Sequence, residues 1–418
     1  MRLVISASLI VFVCLPIALR AQISSLEALY KTHQYFALRD QVNSRTDDRS
    51  PDFLFYRGVV ANRFNRLEES IRYLTTYGEN KNPKKACDAY EILADNYVKT
   101  YRYAQAAEMY KTQLTACKDT LSEEKRADLN NSYGLWKALE KVPVQTLSVT
   151  GQTRLQGTRD KAKLLNLAVE VGGTQMDFVF DTGANLSTIT SSTATRLGLK
   201  IIEADVSVGS SSDIKVKSKL GVAAELKLGN ITLRNVVFLV LDDRSLFFPQ
   251  ANYQINGIIG FPIIEAIGSV TISRDDVLTT DRVERRTTEP NMALEELKPL
   301  VEATIGGEKM TFLLDSGAIT STFYPAFFKT REKEIVKTAT RRKIRLGGAG
   351  GSQEVNAYFL KDLEMSIGGK TARLAKAEII TEAINEDSRE FYGNLGQDVI
   401  KQFDKMTLDL KNMQLIFQ

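Results

Sequence analysis

Two short stretches each deliver an aspartate at the end of an apolar run: FVFDTGANLST at residues 178–188 and FLLDSGAITST at residues 312–322. The aspartates, Asp181 and Asp315, lie 134 positions apart. A hydrophobic strand that ends in a carboxylate holds that group against the interior, where it can do acid–base work. Two such groups about 3 Å apart cannot comfortably both ionise. At an effective dielectric near 20 their repulsion is roughly 5 kcal/mol, or about four pH units of titration. The pair then holds one proton over a wide pH range and titrates as a unit. Its ionised member can take a proton from water while its protonated member donates to a carbonyl. That chemistry requires neither metal nor cofactor, and no histidine. The chain has a single histidine, His33, which excludes a histidine-rich metal site and argues against a His-dependent nucleophile.

The elements around the aspartates are duplicated. LAVEVGGTQMDFVFDTGA (167–184) lies over LVEATIGGEKMTFLLDSGA (300–318), with Gly172 and Gly173 matching Gly306 and Gly307. Further on, NGIIGFPII (256–264) corresponds to YGNLGQDVI (392–400), so that Gly260 follows Asp181 by 79 residues and Gly396 follows Asp315 by 81. A lone Asp-Ser/Thr-Gly is a common turn tripeptide. Two of them, each with the same upstream hairpin and the same downstream partner, form a constellation. Short alternating runs bounded by Gly, Asn and Asp predict a mostly β region from about residue 162 onward.

These motifs resemble the aspartic proteases over roughly residues 163–418. FDTGA at 180–184, LDSGA at 314–318, and the segments IIG at 258–260 and NLG at 394–396, read as hydrophobic-hydrophobic-Gly elements, carry the resemblance. Each half has about the length of a retropepsin-like subunit, so the resemblance implies two such units fused in one chain. It implies a bilobal all-β acid-protease fold with pseudo-two-fold symmetry, Asp181 and Asp315 as catalytic residues, and a peptide or protein substrate. Glycines Gly183 and Gly317 let the two loops pass without side chains between them. In the family the hydroxyl after each aspartate bonds to the opposite loop, a role that falls on Thr182 and Ser316. Ile259-Gly260 and Leu395-Gly396 brace the loops from behind. Both motifs carry alanine, Ala184 and Ala318, where pepsins usually have a hydroxyl on a catalytic carboxylate. Losing a donor to the charged form raises its pKa, so activity is expected at weakly acidic to near-neutral pH. The hairpins VSVGSSSDIKV (206–216) and IRLGGAGGSQEV (344–355) are candidate flaps, with Gly209, Ser210, Ser211, Gly347 and Gly348 near their tips. Neither has the flap tyrosine of pepsins. A catalytically inactive peptide-binding module on the same fold stays open as an alternative, as does a repeat-based scaffold.

The first third reads as all-α. From residue 24 to about 140 the chain is rich in Ala, Leu, Tyr, Lys and Glu. Three segments resemble one another: KTHQYFALRDQV from 31, RFNRLEESIRYL from 63 and KTYRYAQAAEMY from 99. A spacing of 32 and 36 residues fits helical-hairpin repeats. Gly58, Ser70 and Leu74 in one unit match Ala94, Ala106 and Tyr110 in the next. The pattern is similar to degenerate tetratricopeptide repeats over 22–140, which implies a surface for a protein partner. In a hairpin from 87 to 117, Cys87 opens one helix and Cys117 closes the other. Antiparallel packing allows a disulfide there; two buried free thiols are the alternative.

Composition bounds the rest. A chain of 418 residues is too long for one core. A net charge of +4 gives no case for a nucleic-acid partner. Arg2, the apolar run Leu3–Leu19 and Ala21 have the layout of a signal peptide over 1–21, hence export to a periplasm or the exterior. Membrane attachment is expected only if that segment stays uncleaved. The expected order is signal peptide 1–21, helical domain 22–140, linker 141–161, first protease half 162–279, linker 280–296 and second half 297–418.

Overall fold

The structure, a computed structural model, describes residues 25–45, 48, 50–79, 85–209, 216–248, 252–280, 289–348 and 351–418. The expected export segment 1–21 lies outside the described residues. The chain is multidomain, with an N-terminal helical region over 25–138 followed by a largely β region.

The helical region comprises α1 (25–31), α2 (Tyr35–Asn43), α3 (Pro51–Arg63), α4 (Leu67–Gly78), α5 (Ala86–Lys99), α6 (Tyr103–Ala116) and α7 (Glu123–Ala138). Each of the three similar segments leaves one helix, turns and enters the next. Their third residues, His33, Asn65 and Tyr101, have φ of 53°, 57° and 58°. This left-handed conformation is uncommon outside glycine and reverses the chain sharply. Within the α3–α4 pair the helices are close because residue 58 has no side chain. A Cβ there would lie 2.5 Å from Leu74 Cγ, and Ser70 Oγ donates to the Gly58 carbonyl at 2.7 Å. Ala94 and Ala106 are buried in the α5–α6 pair. Of the two alternatives for Cys87 and Cys117, the structure has the disulfide, with Cα atoms 6.0 Å apart.

All three turn residues meet the β region. His33 Nδ1 lies 3.4 Å from Glu295 Oε2. Asn65 Nδ2 donates to Glu265 Oε1 at 3.1 Å and to the Leu410 carbonyl at 3.3 Å. The Tyr101 hydroxyl donates to the Pro262 carbonyl at 3.0 Å. This edge of the helical region is therefore taken up by the chain's own β region. Glu295 anchors it: Arg63 Nη2 is 2.7 Å from Oε1, and the Tyr35 hydroxyl donates to Oε2. Burial pushes the Glu295 carboxyl up, but Arg63 and His33 outweigh it and hold it at about 2.

In the β region, the hairpin Leu165–Val171/Thr174–Phe180 turns on Gly172 and Gly173, with φ of 57° and 77°. Lys298–Ile305/Glu308–Leu314 turns likewise on Gly306 and Gly307, at 60° and 84°. The short strand Gly257–Ile259 pairs parallel with the end of the first hairpin and antiparallel with Thr188–Thr190. Gly393–Leu395 pairs parallel with the end of the second and antiparallel with Thr322–Phe323. A five-stranded sheet joins the two parts: Ser269–Ser273 runs antiparallel to Lys405–Asp409 in the register Thr271↔Thr407.

Three expectations need correction. The polar stretch 141–161 is not a free linker. Thr146–Val149 pairs with Ile231–Arg234, Arg154–Gln156 with Val277–Thr279, and Thr158–Arg159 with Leu165 and Asn166. Polar side chains suit such edge strands, whose faces are largely solvated. The second expected linker, 280–296, is described only in part. Its end is the buried strand Met292–Glu295, paired with Lys298–Val301. The β region also contains short helices, among them Ser191–Arg196, Phe261–Ile267 and Pro325–Thr330. Thr190 caps the first by accepting from the Thr193 N–H, and a proline opens each of the other two.

Glu295→Gln is expected to lower unfolding free energy by about 3 kcal/mol, because Arg63 keeps its burial and loses its partner. Glu295 is depressed, so its contribution is present above its ordinary value of 4.5 and lost as pH falls toward about 2. Denaturant unfolding across that window should show a loss of stability that the variant lacks.

Candidate functional site

Asp181 and Asp315 come to one place because the strands that carry them are both tied to a brace. The Asp181 N–H donates to the Ile259 carbonyl at 3.1 Å, and the Asp315 N–H to the Leu395 carbonyl at 2.9 Å. From these ties the DTG and DSG loops run against each other. Thr182 Oγ1 donates to the Leu314 carbonyl at 2.7 Å and accepts from the Ser316 N–H at 2.9 Å. Ser316 Oγ donates to the Phe180 carbonyl and accepts from the Thr182 N–H, each at 3.0 Å. Both hydroxyls are buried, so each loop's polar backbone is satisfied by the other loop.

The glycines set the approach. A Cβ on Gly183 would sit 2.5 Å from Asp315 Cγ, and one on Gly317 would sit 2.4 Å from Asp181 Oδ2. Each carboxylate thus lies on the bare backbone of the opposite loop. Burial pushes the Asp181 carboxyl well above the usual range; the facing Asp315 carboxylate adds to the push, and the Gly183 N–H opposes it. A site built this way retains a proton at pH values where an exposed aspartate has lost it.

The braces meet their loops without side chains. A Cβ on Gly260 would lie 2.6 Å from the Leu186 carbonyl carbon, and one on Gly396 2.6 Å from the Ala318 oxygen. Two serines absent from the expected set tie these braces. Ser187 Oγ accepts from the Gly260 N–H at 3.1 Å, and Ser321 Oγ from the Gly396 N–H at 2.9 Å. Both stand six residues after their aspartate, a shared spacing that the sequence displays. A further residue breaks the equivalence. Position 394 was grouped with Ile258 in a hydrophobic-hydrophobic-Gly element, but it is Asn394, whose Nδ2 donates to Asp315 Oδ2 at 2.7 Å.

Both candidate flap regions form hairpins. Lys200–Val208 pairs with Val216–Leu228, and Thr340–Gly348 with Gly351–Ile367. Gly347 and Gly348 lie in the second at its tip, Gly209 follows the first strand, and Ser210 and Ser211 lie outside the described residues. The strand Lys200–Val208 ends its sheet, so one side of its backbone lacks a strand neighbour among the described residues. Asn131 of α7 closes that side: its Nδ2 donates to the Ser207 carbonyl at 2.7 Å, and its Oδ1 accepts the Ser207 N–H at 2.8 Å. A single amide side chain here replaces one peptide unit of a neighbouring strand.

A family model for aspartyl proteases matches residues 167–263. The match takes in Asp181, Thr182, Gly183 and the brace Ile259-Gly260, and stops before Asp315. It supports a protease type of hydrolase. No curated protein matches the chain.

Thr182→Val keeps the volume and leaves the Leu314 carbonyl and Ser316 N–H unpaired, at a cost of about 2 kcal/mol in denaturant unfolding. In Asn131→Ala, amide exchange at Ser207 should speed up while exchange in Val216–Leu228 stays slow; unchanged exchange at Ser207 would show that α7 does not hold this edge.

Proposed function

We propose that this chain is an exported aspartic endopeptidase whose two β halves form a pseudo-two-fold pair around Asp181 and Asp315. The observation that carries the reading is reciprocal: each carboxylate rests on the glycine of the other aspartate's loop. The repeated hairpin, the repeated brace and the sheet shared through Thr271 and Thr407 support the pairing of halves. The apolar segment after Arg2 supports export, and a disulfide between Cys87 and Cys117 suits an oxidising compartment.

In the reaction, the ionised aspartate takes a proton from a water held between the carboxylates. The water oxygen attacks the peptide carbonyl carbon, and the protonated aspartate gives its proton to the carbonyl oxygen. The tetrahedral intermediate collapses when the aspartate that took the water's proton gives it to the amine nitrogen, the other aspartate takes a proton back from an intermediate hydroxyl, and the C–N bond breaks. This leaves a carboxylic acid, an amine and the pair with its one proton. No covalent acyl-enzyme forms. The hairpins that carry Gly209 and Gly347-Gly348 close over an extended peptide. The tetratricopeptide-like helices present their faces away from the turn edge to a protein partner.

Activity requires one proton on the pair. Because Asp181 is raised, that proton persists above the ordinary aspartate range. Cleavage should therefore be fastest at weakly acidic to near-neutral pH and fall as pH rises through the Asp181 titration. An optimum below about pH 3 contradicts this. Asp181→Asn and Asp315→Asn should each reduce cleavage of a broad peptide library by at least about 10³-fold, the scale of a lost acid–base group. A wild-type chain that binds a pepstatin-type peptide but cleaves nothing from acidic to neutral pH would instead be an idle peptide-binding module.

A further inference from the structure

The two aspartates are not equivalent. Three N–H groups point at Asp315: Gly317 and Ala318 donate to Oδ1 at 2.8 and 2.9 Å, and Asn394 donates to Oδ2 at 2.7 Å. At Asp181 the Gly183 N–H donates to Oδ1 at 2.8 Å and the Ala184 N–H adds a second backbone donor, so the difference is the third donor: the place matching Asn394 is held by Ile258, whose side chain has none. An ionised carboxylate only accepts hydrogen bonds, so donors aimed at it favour its charge.

Resting on the dyad reading above, we infer that Asn394 is a positioning residue that assigns the negative charge to Asp315 and the proton to Asp181. Its amide orientation is set by the carboxylate. Reversed, Oδ1 would face Asp315 Oδ2, acceptor against acceptor. In the observed orientation Asn394 Oδ1 is buried with no partner among the described residues. A strand that needed only to fill this place would carry an apolar side chain, as Ile258 does. An amide with one orphaned oxygen is a worse filler, and what it gains is the bond to Asp315.

The other titratable groups nearby leave this assignment undisturbed. Asp181 faces Asp315 across the loops. The Tyr324 phenol is kept neutral by burial, to which Asp387 and Asp315 add. The Asp398 carboxylate is taken up by the Ser321 N–H and hydroxyl. With the charge so placed, Asp315 takes the proton from water and Asp181 donates to the carbonyl. The scissile carbonyl oxygen must then point toward Asp181, which fixes the direction in which a peptide lies in the cleft.

The test uses the full chain and its Asn394→Leu variant, which takes a shape close to Ile258. The acid limb of the kcat/KM profile should move up by about one pH unit, the size of a tenfold change in proton affinity, with kcat lowered and KM changed less than twofold. A second readout does not depend on turnover. In spectra of ¹³C-carboxyl-labelled aspartate at weakly acidic pH, the protonated resonance should belong to Asp181, identified by its loss in Asp181→Asn. In Asn394→Leu it should move to a position averaged between the two residues. Should the leucine variant fail to fold, Asn394→Ser, too short to reach Oδ2, should give the same shifts. Unmoved resonances and an unmoved acid limb would overturn the inference and make Asn394 a packing residue. The expected spectra in a chain that cleaves no peptide would uphold the charge assignment and remove the protease reading.

Discussion

Bringing two acidic side chains to one point is the constraint on which the rest of this architecture depends. A fully ionised pair at about 3 Å repels by roughly 5 kcal/mol at an effective dielectric near 20. The four hydrogen bonds between the Thr182 and Ser316 loops contribute about 1 kcal/mol each, so together they fall short of it. Uptake of one proton removes the repulsion altogether. Protonation thus settles the contest, and the interlocked loops settle the geometry. Any side chain at Gly183 or Gly317 would take the space that the opposite carboxylate occupies.

The remaining elements hold those loops from outside. Gly257–Ile259 and Gly393–Leu395 sit behind them, and the hydroxyls of Ser187 and Ser321 bind the braces from the chain's own return. The five-stranded sheet links the two parts of the β region. The helical region adds two further attachments. Its three turn residues reach the β region at Glu295, Glu265 and Pro262. Helix α7 reaches the edge strand Lys200–Val208 of the first candidate flap through Asn131.

Some of this was legible in the sequence for identifiable reasons. The two aspartate motifs stood out because the glycine pairs, the apolar strands and the braces recur at nearly equal distances. The helical pairs stood out because three similar segments recur at spacings of 32 and 36 residues. Cys87 and Cys117 bracket one helix pair, which left their bond open to inference. What stayed hidden depends on long-range partners. Thr146–Val149 and Arg154–Gln156 resemble a linker until strands about 85 and 120 residues later supply their hydrogen bonds. Glu295 looks like an ordinary surface acid, since its partners Arg63 and His33 lie more than 200 residues upstream. Asn394 was absorbed into an apolar pattern because its two neighbours in the motif fit. Only its place beside Asp315 shows why a polar residue stands there.

The central claim is that Asp181 and Asp315 meet over one proton. A crystal structure of the full chain at weakly acidic pH tests it most directly. The account predicts carboxyl oxygens within hydrogen-bond reach of each other and a single solvent molecule held by both. Carboxylates turned apart, or each neutralised by its own lysine or arginine, would contradict it.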